Sequence, residues 1–361
     1  MQKLSVSVYV GLAVLAVGVQ TYRLVEKMSL VELQPAQRID NEYDHTWENF
    51  KARFAKHYED EEEKTRWATF KDRVRAITKH NSEEHTFTMR INQFADWSQE
   101  EIEKHRGVNF GTRLSVTDTA SDEMTGTCNM TFITPLSFAA PDSVDWRQHG
   151  LVTDAKDQGH CGSCYSFSTA AAIEGQHARK TGQLVSLSEQ QIIDCSGGYG
   201  NAQCGGGLMD NGFRYIRDVG GLETEHSYPY IDHDGPVTEK CKTDKSKFAA
   251  TVTGCMDITS GDEEALKDAV ASVGPVSIAI DAEESFKFYS DGIFSSKTCS
   301  NKADALDHAI LVVGYGSENG QDYWIVKNSW AKTWGQDGFG KMARNKKNMC
   351  GVATFASYPL V

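Results

Sequence analysis

The chain has 361 residues, 40% hydrophobic and 10% aromatic with only seven prolines, which fits a globular protein and excludes collagen-like and largely disordered classes. Its 37 basic against 50 acidic residues give a net charge of −13, which argues against a nucleic-acid partner, because neutralising phosphates needs a basic face. Nine cysteines point to an oxidising compartment, and their odd number leaves at least one sulfur outside intramolecular pairs.

In chain order, Lys3 precedes an apolar stretch over residues 4–19 that contains the small-x-small site Ala16-Val17-Gly18. This is shorter than the ~20 residues that span a bilayer, so residues 1–19 read as a secretory signal peptide with no stable membrane span; a retained anchor is the alternative. Residues 20–106 are polar and charge-dense. Trp47, Phe50, Phe54 and Tyr58 recur at helical spacing, as do Trp67, Phe70, Val74 and Ile77, with acidic residues 59–63 near the start of the second helix. Residues 107–139 turn to Thr, Ser, Gly and Asp, which predicts an exposed, cleavable linker. Within it Asn129-Met130-Thr131 fits the N-glycosylation pattern, making Asn129 the acceptor.

Residues 140–361 change character midway. The first part predicts helices: an Ala-rich run after Cys164, a capping box at Ser188-Glu-Gln-Gln191, and Met209, Phe213 and Ile216 before Gly220. A helix around Leu266, Val270 and Val273 follows, then apolar or alternating strands at 276–280, 309–315 and 322–327. Helices first and strands second predict an α+β fold with two lobes and a cleft between them.

The densest chemical signal is Gln158-Gly-His-Cys161-Gly-Ser-Cys164-Tyr165. A bare Cys-x-x-Cys serves equally as a redox pair, a zinc half-site or structural cysteines. A zinc site wants a second close pair, however, and Cys195 and Cys204 are nine apart; a redox motif wants a βαβ context. A cysteine nucleophile needs a cationic neighbour and a favourable dipole. Cys164 opens the predicted Ala-rich helix, His308 begins a predicted strand, and Asn328 follows the next strand, where its amide can fix the imidazole tautomer.

Residues 140–361 resemble the papain family of cysteine peptidases, closest to the cathepsin L type. The resemblance rests on Ser143-Val-Asp-Trp146-Arg, Gly159-His-Cys-Gly-Ser-Cys164, Leu187-Ser-Glu-Gln190, Cys204-Gly-Gly-Gly-Leu-Met-Asp210, Asp307-His308, Asn328-Ser-Trp330 and Ser357-Tyr-Pro359. It implies a papain-like fold with a helical first lobe and a β-barrel-like second lobe. Residues 20–106 resemble that family's helical inhibitory propeptide through Glu62, Arg66, Phe70, Ile77 and Asn81, followed by Asn92, Phe94 and Asp96. Arg73 and Arg90 depart from the propeptide pattern.

By this resemblance Cys164 is the nucleophile, His308 its acid–base partner, Asn328 the residue that orients His308, and Gln158 the oxyanion donor. Gly206 and Gly207 would pair with substrate backbone; Leu208, Met209, Ala279, Leu306, Asp307, Ala309 and Phe355 would shape the cleft and its main pocket. Trp330 would shield the His308–Asn328 bond. Phe355 stands where a small residue is usual, which implies a shallow pocket favouring Val, Leu or Pro over Phe. The implied disulfides are Cys161–Cys195, Cys204–Cys241 and Cys299–Cys350, leaving Cys255 a buried, unreactive thiol without a partner. The resemblance further implies a monomeric endopeptidase made as a zymogen, needing neither cofactor nor metal, acting on proteins and peptides in a lysosome-like compartment or outside the cell, and open to cystatin-like inhibitors. A catalytically inactive binding protein on the same fold is the alternative.

Overall fold

The structure is a computed structural model describing residues 35–108, 128, 130–236 and 240–361. The expected signal peptide and Asn129 lie outside the described residues. The chain divides after Lys71 into two compact units.

In the first unit, helix α1 (Pro35–Phe54) carries Trp47, Phe50 and Phe54, and a turn holding Tyr58 leads into helix α2 (Asp60–Ser82), which runs on past Lys71. Asp60, Glu61, Glu62 and Glu63 fill the first turn of α2 and Lys79 and His80 its last, so both ends suit the helix dipole. The aromatic periodicity closes into one cluster: the Trp47 ring lies 5.5 Å from Phe50, 6.1 Å from Tyr58, 5.8 Å from Trp67 and 5.1 Å from Phe70. Arg66 pairs with Glu62 one turn back at 3.0 Å.

The second unit opens with β1 (Phe87–Met89), helix α3 (Gln99–His105) and β2 (Val144–Asp145). Ser98 and Glu101 form a complete capping box that starts α3. Three helices follow: α4 (Cys164–Thr181), α5 (Glu189–Cys195) and α6 (Met209–Val219), the first and last stopped by left-handed glycines, Gly182 and Gly220. A short ribbon, β3 (Leu222–Glu223) with β4 (Phe248–Ala250), separates them from β5 (Gly254–Asp257), helix α7 (Glu263–Val273), β6 (Val276–Ile280), helix α8 (Glu284–Lys287), β7 (Tyr289–Phe294), β8 (His308–Glu318), β9 (Gln321–Lys327), β10 (Phe339–Ala343) and β11 (Phe355–Leu360). The main sheet runs β1-β7-β10-β9-β8-β6-β11-β5, with β2 also on β8. Helix α4 packs on this sheet: Ser168 Oγ donates to the Ile310 carbonyl at 2.8 Å, and Ser277 Oγ donates to the Ser168 carbonyl at 3.0 Å. The helices-then-strands reading is what the fold shows. Among the described residues no helix is long and apolar enough to cross a membrane.

Several local expectations change. At Ser188 only half the capping box forms: its Oγ accepts from the Gln191 N–H at 3.0 Å, but the Gln191 side chain turns to the Glu223 N–H and the Gly221 carbonyl. A buried helix start gives that amide better partners in β3 than the cap offers. The expected linker is held in part: Gly107 and Val108 bond to the Asp307 carbonyl and Cys128 and Phe132 are buried, while Ile133, Leu136, Ser137 and Ala139 are exposed as expected.

Two disulfide expectations are corrected. The pairs are Cys161–Cys204 and Cys195–Cys241, in place of Cys161–Cys195 and Cys204–Cys241. The chain at Cys204 crosses directly over the loop before α4, so close that a Cβ on Gly162 would lie 2.5 Å from the Cys204 carbonyl. Cys195, at the far end of α5, faces Thr243 and so Cys241. Cys299–Cys350 is present as expected. Cys255 is not a free thiol but is joined to Cys128, because residues 130–132 run alongside β5 and bring the two Cα atoms to 5.1 Å.

Candidate active site

Cys164 is the first residue of α4 and the cysteine left outside the disulfides. Ser163 before it makes no side-chain cap, so the positive end of the helix is left to favour a thiolate at Sγ. The Ala309 N–H donates to Sγ at 3.2 Å, which seats the sulfur beside the start of β8, where His308 is the first residue. Asn328 directly follows β9, and its Oδ1 lies 2.8 Å from His308 Nε2. An amide oxygen only accepts, so Nε2 carries the proton and Nδ1 is the basic nitrogen. Nδ1 has no hydrogen-bond partner among the described residues. The Ser329 N–H also donates to Oδ1, at 2.7 Å, fixing which way the amide points. Trp330 lies over the imidazole with ring centroids 4.3 Å apart and planes 21° apart. Gln158 is buried nearby; its Oε1 accepts from Ser329 Oγ at 2.7 Å, which turns its Nε2 donors toward the Cys161 carbonyl at 2.9 Å and the His105 carbonyl at 3.2 Å.

This geometry sits on a chain whose residues 140–360 match the papain family of cysteine proteases and whose residues 47–102 match the cathepsin propeptide inhibitor domain. The chain belongs to the papain family of cysteine proteases. It is 47% identical over 346 residues to cathepsin L of Sarcophaga peregrina, covering 94% of this chain and 99% of that protein. It is 50% identical over 324 residues to a cathepsin L-like peptidase of Aedes aegypti, covering 87% and 92%. Among solved structures, digestive procathepsin L 3 of Tenebrio molitor larval midgut superimposes with a TM-score of 0.78 at 43% identity, over 88% of this chain and 99% of that one.

As in a papain-family zymogen, the cleft is filled by the chain's own earlier segment. Beyond α3, Gly107 and Val108 donate to the Asp307 carbonyl at 3.1 and 3.2 Å, and the Gly107 carbonyl accepts from the Gly207 N–H at 3.0 Å. Arg106 pairs with the Asp307 carboxylate at 2.9 Å. Gly107 passes directly over Cys164: a Cβ there would lie 2.7 Å from Cys164 Sγ and 2.6 Å from the Gly162 carbonyl. Only glycine fits so close an approach. The expected pocket residues Leu208, Met209, Ala279, Leu306, Ala309 and Phe355 fall in one buried apolar cluster, with Val108 packed against it and Phe355 paired with Ala279 across β11 and β6. Gly206, at φ 99°, sets the turn that presents Gly207.

Burial under this segment neutralises the dyad. It pushes the Cys164 thiol up to about 12, against the opposing pull of the Ala309 and Gly107 N–H groups. It drives His308 down to about 3, against the bond to Asn328.

Four contributors escaped the sequence reading. Ser329 aims both Gln158 and Asn328. Gly107 read as the first residue of a linker, yet it covers the sulfur. His105, buried beside Trp97, Phe94 and Trp330, carries no local motif. Trp97 stacks on His160 at 4.4 Å. The two propeptide departures both bond the protease: Arg73 to Glu284, and Arg90 Nη2 to the Thr333 and Gly335 carbonyls at 3.1 and 2.9 Å. Among the described residues two clusters bring metal-type ligands together, Cys161–Cys204–Asp232 and Cys128–Asp210–Asp257, but every sulfur in them is spent in a disulfide and offers no thiolate.

Proposed function

We propose that this cysteine endopeptidase works through a Cys164 thiolate and a His308 imidazolium. The thiolate attacks a peptide carbonyl; His308 protonates the leaving amine and then takes a proton from the water that hydrolyses the thioester. Gln158 Nε2 and the Cys164 N–H stabilise the oxyanion. The observation that carries this reading is the His308–Asn328 bond beneath Trp330, with the basic Nδ1 unpartnered and the neighbouring Ala309 N–H on the sulfur. In the zymogen the Gln158 donor is taken by the His105 carbonyl and both dyad members are neutral, so release of the segment admits water and lets the ion pair form. Titration with an epoxide thiol inhibitor tests this: one equivalent should label the activated protein at Cys164, and Cys164→Ala should take up none and lose ~10³-fold or more of its turnover. Labelling elsewhere, or activity surviving in the variant, refutes the assignment.

The main pocket prefers aliphatic side chains. Val108 packs on its cluster in the zymogen, and Phe355 fills space on β11. Fluorogenic peptides with Val or Leu two residues before the cut should be hydrolysed faster than the Phe equivalent, and Phe355→Ala should shift that ratio toward Phe by roughly 10-fold, the scale of a few methylenes in a pocket. Faster cleavage of the Phe peptide by the unaltered enzyme sinks the idea.

We place processing near residue 140 and the protein in the secretory pathway, ending in an acidic organelle or outside the cell. Four disulfides among the described residues support an oxidising route, and the relative from larval midgut is a digestive enzyme.

A further inference from the structure

The Cys128–Cys255 disulfide joins the residues before the expected processing junction to the protease domain. Cys255 lies on β5 within the protease, while Cys128 precedes the junction near residue 140. The attachment is more than one bond. The Asp257 N–H donates to the Met130 carbonyl at 2.9 Å and the Phe132 N–H to the Asp257 carbonyl at 2.8 Å, so residues 130–132 extend the sheet beyond its edge strand β5. Phe132 is buried against Tyr358, and Thr134 Oγ1 donates to Asp268 Oδ2 at 2.8 Å. The chain then surfaces: Ile133 and Leu136 are exposed, as are Ser137 and Ala139, before Tyr315 captures the Pro141 carbonyl at 2.8 Å. The accessible stretch therefore lies between the disulfide and the protease proper.

We propose that a cut at this junction alone does not free the enzyme, and that Cys128–Cys255 keeps the inhibitory segment covalently tethered as a two-chain, still inhibited intermediate. Hydrolysis there adds one water across a peptide bond and leaves the S–S bond intact. The segment running back to Gly107 stays attached to the surface it blocks, so rebinding is intramolecular, which raises effective affinity ~10²–10⁴-fold over a free segment. Activity requires a second event: a further cut upstream of Cys128, or reduction of the disulfide to two thiols by two thiol equivalents (or a dithiol) that are themselves oxidised to a disulfide. After an upstream cut, the strand at 130–132 remains part of the mature enzyme.

This rests on the reading that the junction near residue 140 is the processing site, and the experiment separates the two. Full-length Cys164→Ala zymogen is clipped in trans by a separately active protease, and unaltered zymogen is acid-activated in parallel without reductant. Samples in which sequencing finds a new amino terminus near residue 140 are weighed intact with and without a phosphine reductant. The tether predicts a non-reduced mass equal to the whole zymogen plus one water, splitting into two chains on reduction. In the acid-activated series, peptidase activity at that stage should lie at least 10-fold below that of Cys128→Ser carrying the same cut. A free inhibitory segment without reductant overturns the proposal, as does full activity of the two-chain species. If Cys128→Ser does not fold, the mass measurement on the unaltered chain decides alone. If acid produces no cut but the trans-clipped protein stays linked, it is the processing reading that fails.

Discussion

The segment that precedes the protease buries its aromatic residues in two different ways. Around Trp47 the rings of Phe50, Tyr58, Trp67 and Phe70 pack on one another. Between Asn92 and Val108 the apolar residues bury themselves on the protease instead: Phe94 sits 5.2 Å from Trp330, Trp97 stacks on His160, and Asn92 Nδ2 bonds the Lys287 carbonyl at 2.7 Å. The first region has a core of its own; the second has none and gains its order only from the surface it covers. One stretch is thus ordered by its own core and the other by the protease surface it covers.

Three substitutions would break or sharpen that contrast. Trp47→Ala, which empties the centre of the self-contained cluster, should destabilise that helical region by about 3–5 kcal/mol. Thermal melting followed by circular dichroism of the Cys164→Ala zymogen would read it as an early transition, while the melting of the protease itself stays put. Gly107→Ala should do the reverse. Its Cβ collides with the sulfur and a backbone carbonyl, so the covering strand must lift; an overpacking penalty of about 2 kcal/mol corresponds to roughly 30-fold weaker inhibition. The helical melt should be unchanged, and a shift there would mean the two regions are not separable.

The smallest effect expected is one of pH. His105 is buried, with neither ring nitrogen in hydrogen-bonding geometry with a partner among the described residues. Burial first, then His308, His160 and Lys287, hold its pKa well below the ordinary value, and the Gly159 backbone offsets this only in part. An uncovered ring titrates near ~6.5. The covered state therefore binds fewer protons. This contribution to covering is complete above that value and is lost as pH falls below it, by up to ~10-fold per unit. His105→Leu should remove that slope and move the midpoint of acid activation about one pH unit lower. An unchanged midpoint in the rate-against-pH profile would assign the trigger to other groups.

Cys164, His308 and Asn328 could be singled out from the sequence because each signal is local. A cysteine at a helix start, a histidine opening an apolar strand and an asparagine following the next are each read from a few neighbouring residues, and the fold then brings these distant positions together. Disulfide partners are set by which loops cross, and spacing along the chain says nothing about that. Cys161 and Cys195 bracket two helices, yet the loop at Cys204 returns over Gly162 and takes Cys161. Cys128 lay in a polar stretch whose composition hides three residues that add to a sheet edge. Gly107 was invisible for a similar reason: a glycine chosen for close approach looks like any glycine in a linker. Arg73 and Arg90 read as departures because a pattern records what is usual, not which carbonyl or carboxylate a long side chain can reach.

Ser329 donates to Gln158 Oε1 through its hydroxyl, and its carbonyl accepts from the Gln158 N–H at 2.9 Å. With Asn328 and His308 bonded next door and α4 stitched to β8 and β6 through Ser168 and Ser277, the side chains of Gln158, Cys164, His308 and Asn328 share one frame. Of the expected pocket residues, Ala309 belongs to that frame through its N–H on Cys164 Sγ, while Phe355 joins it only through its pairing with Ala279 across β11 and β6. A single exchange at Phe355 would alter the apolar cluster while leaving the hydrogen bonds among Gln158, Ser329, Asn328 and His308 in place.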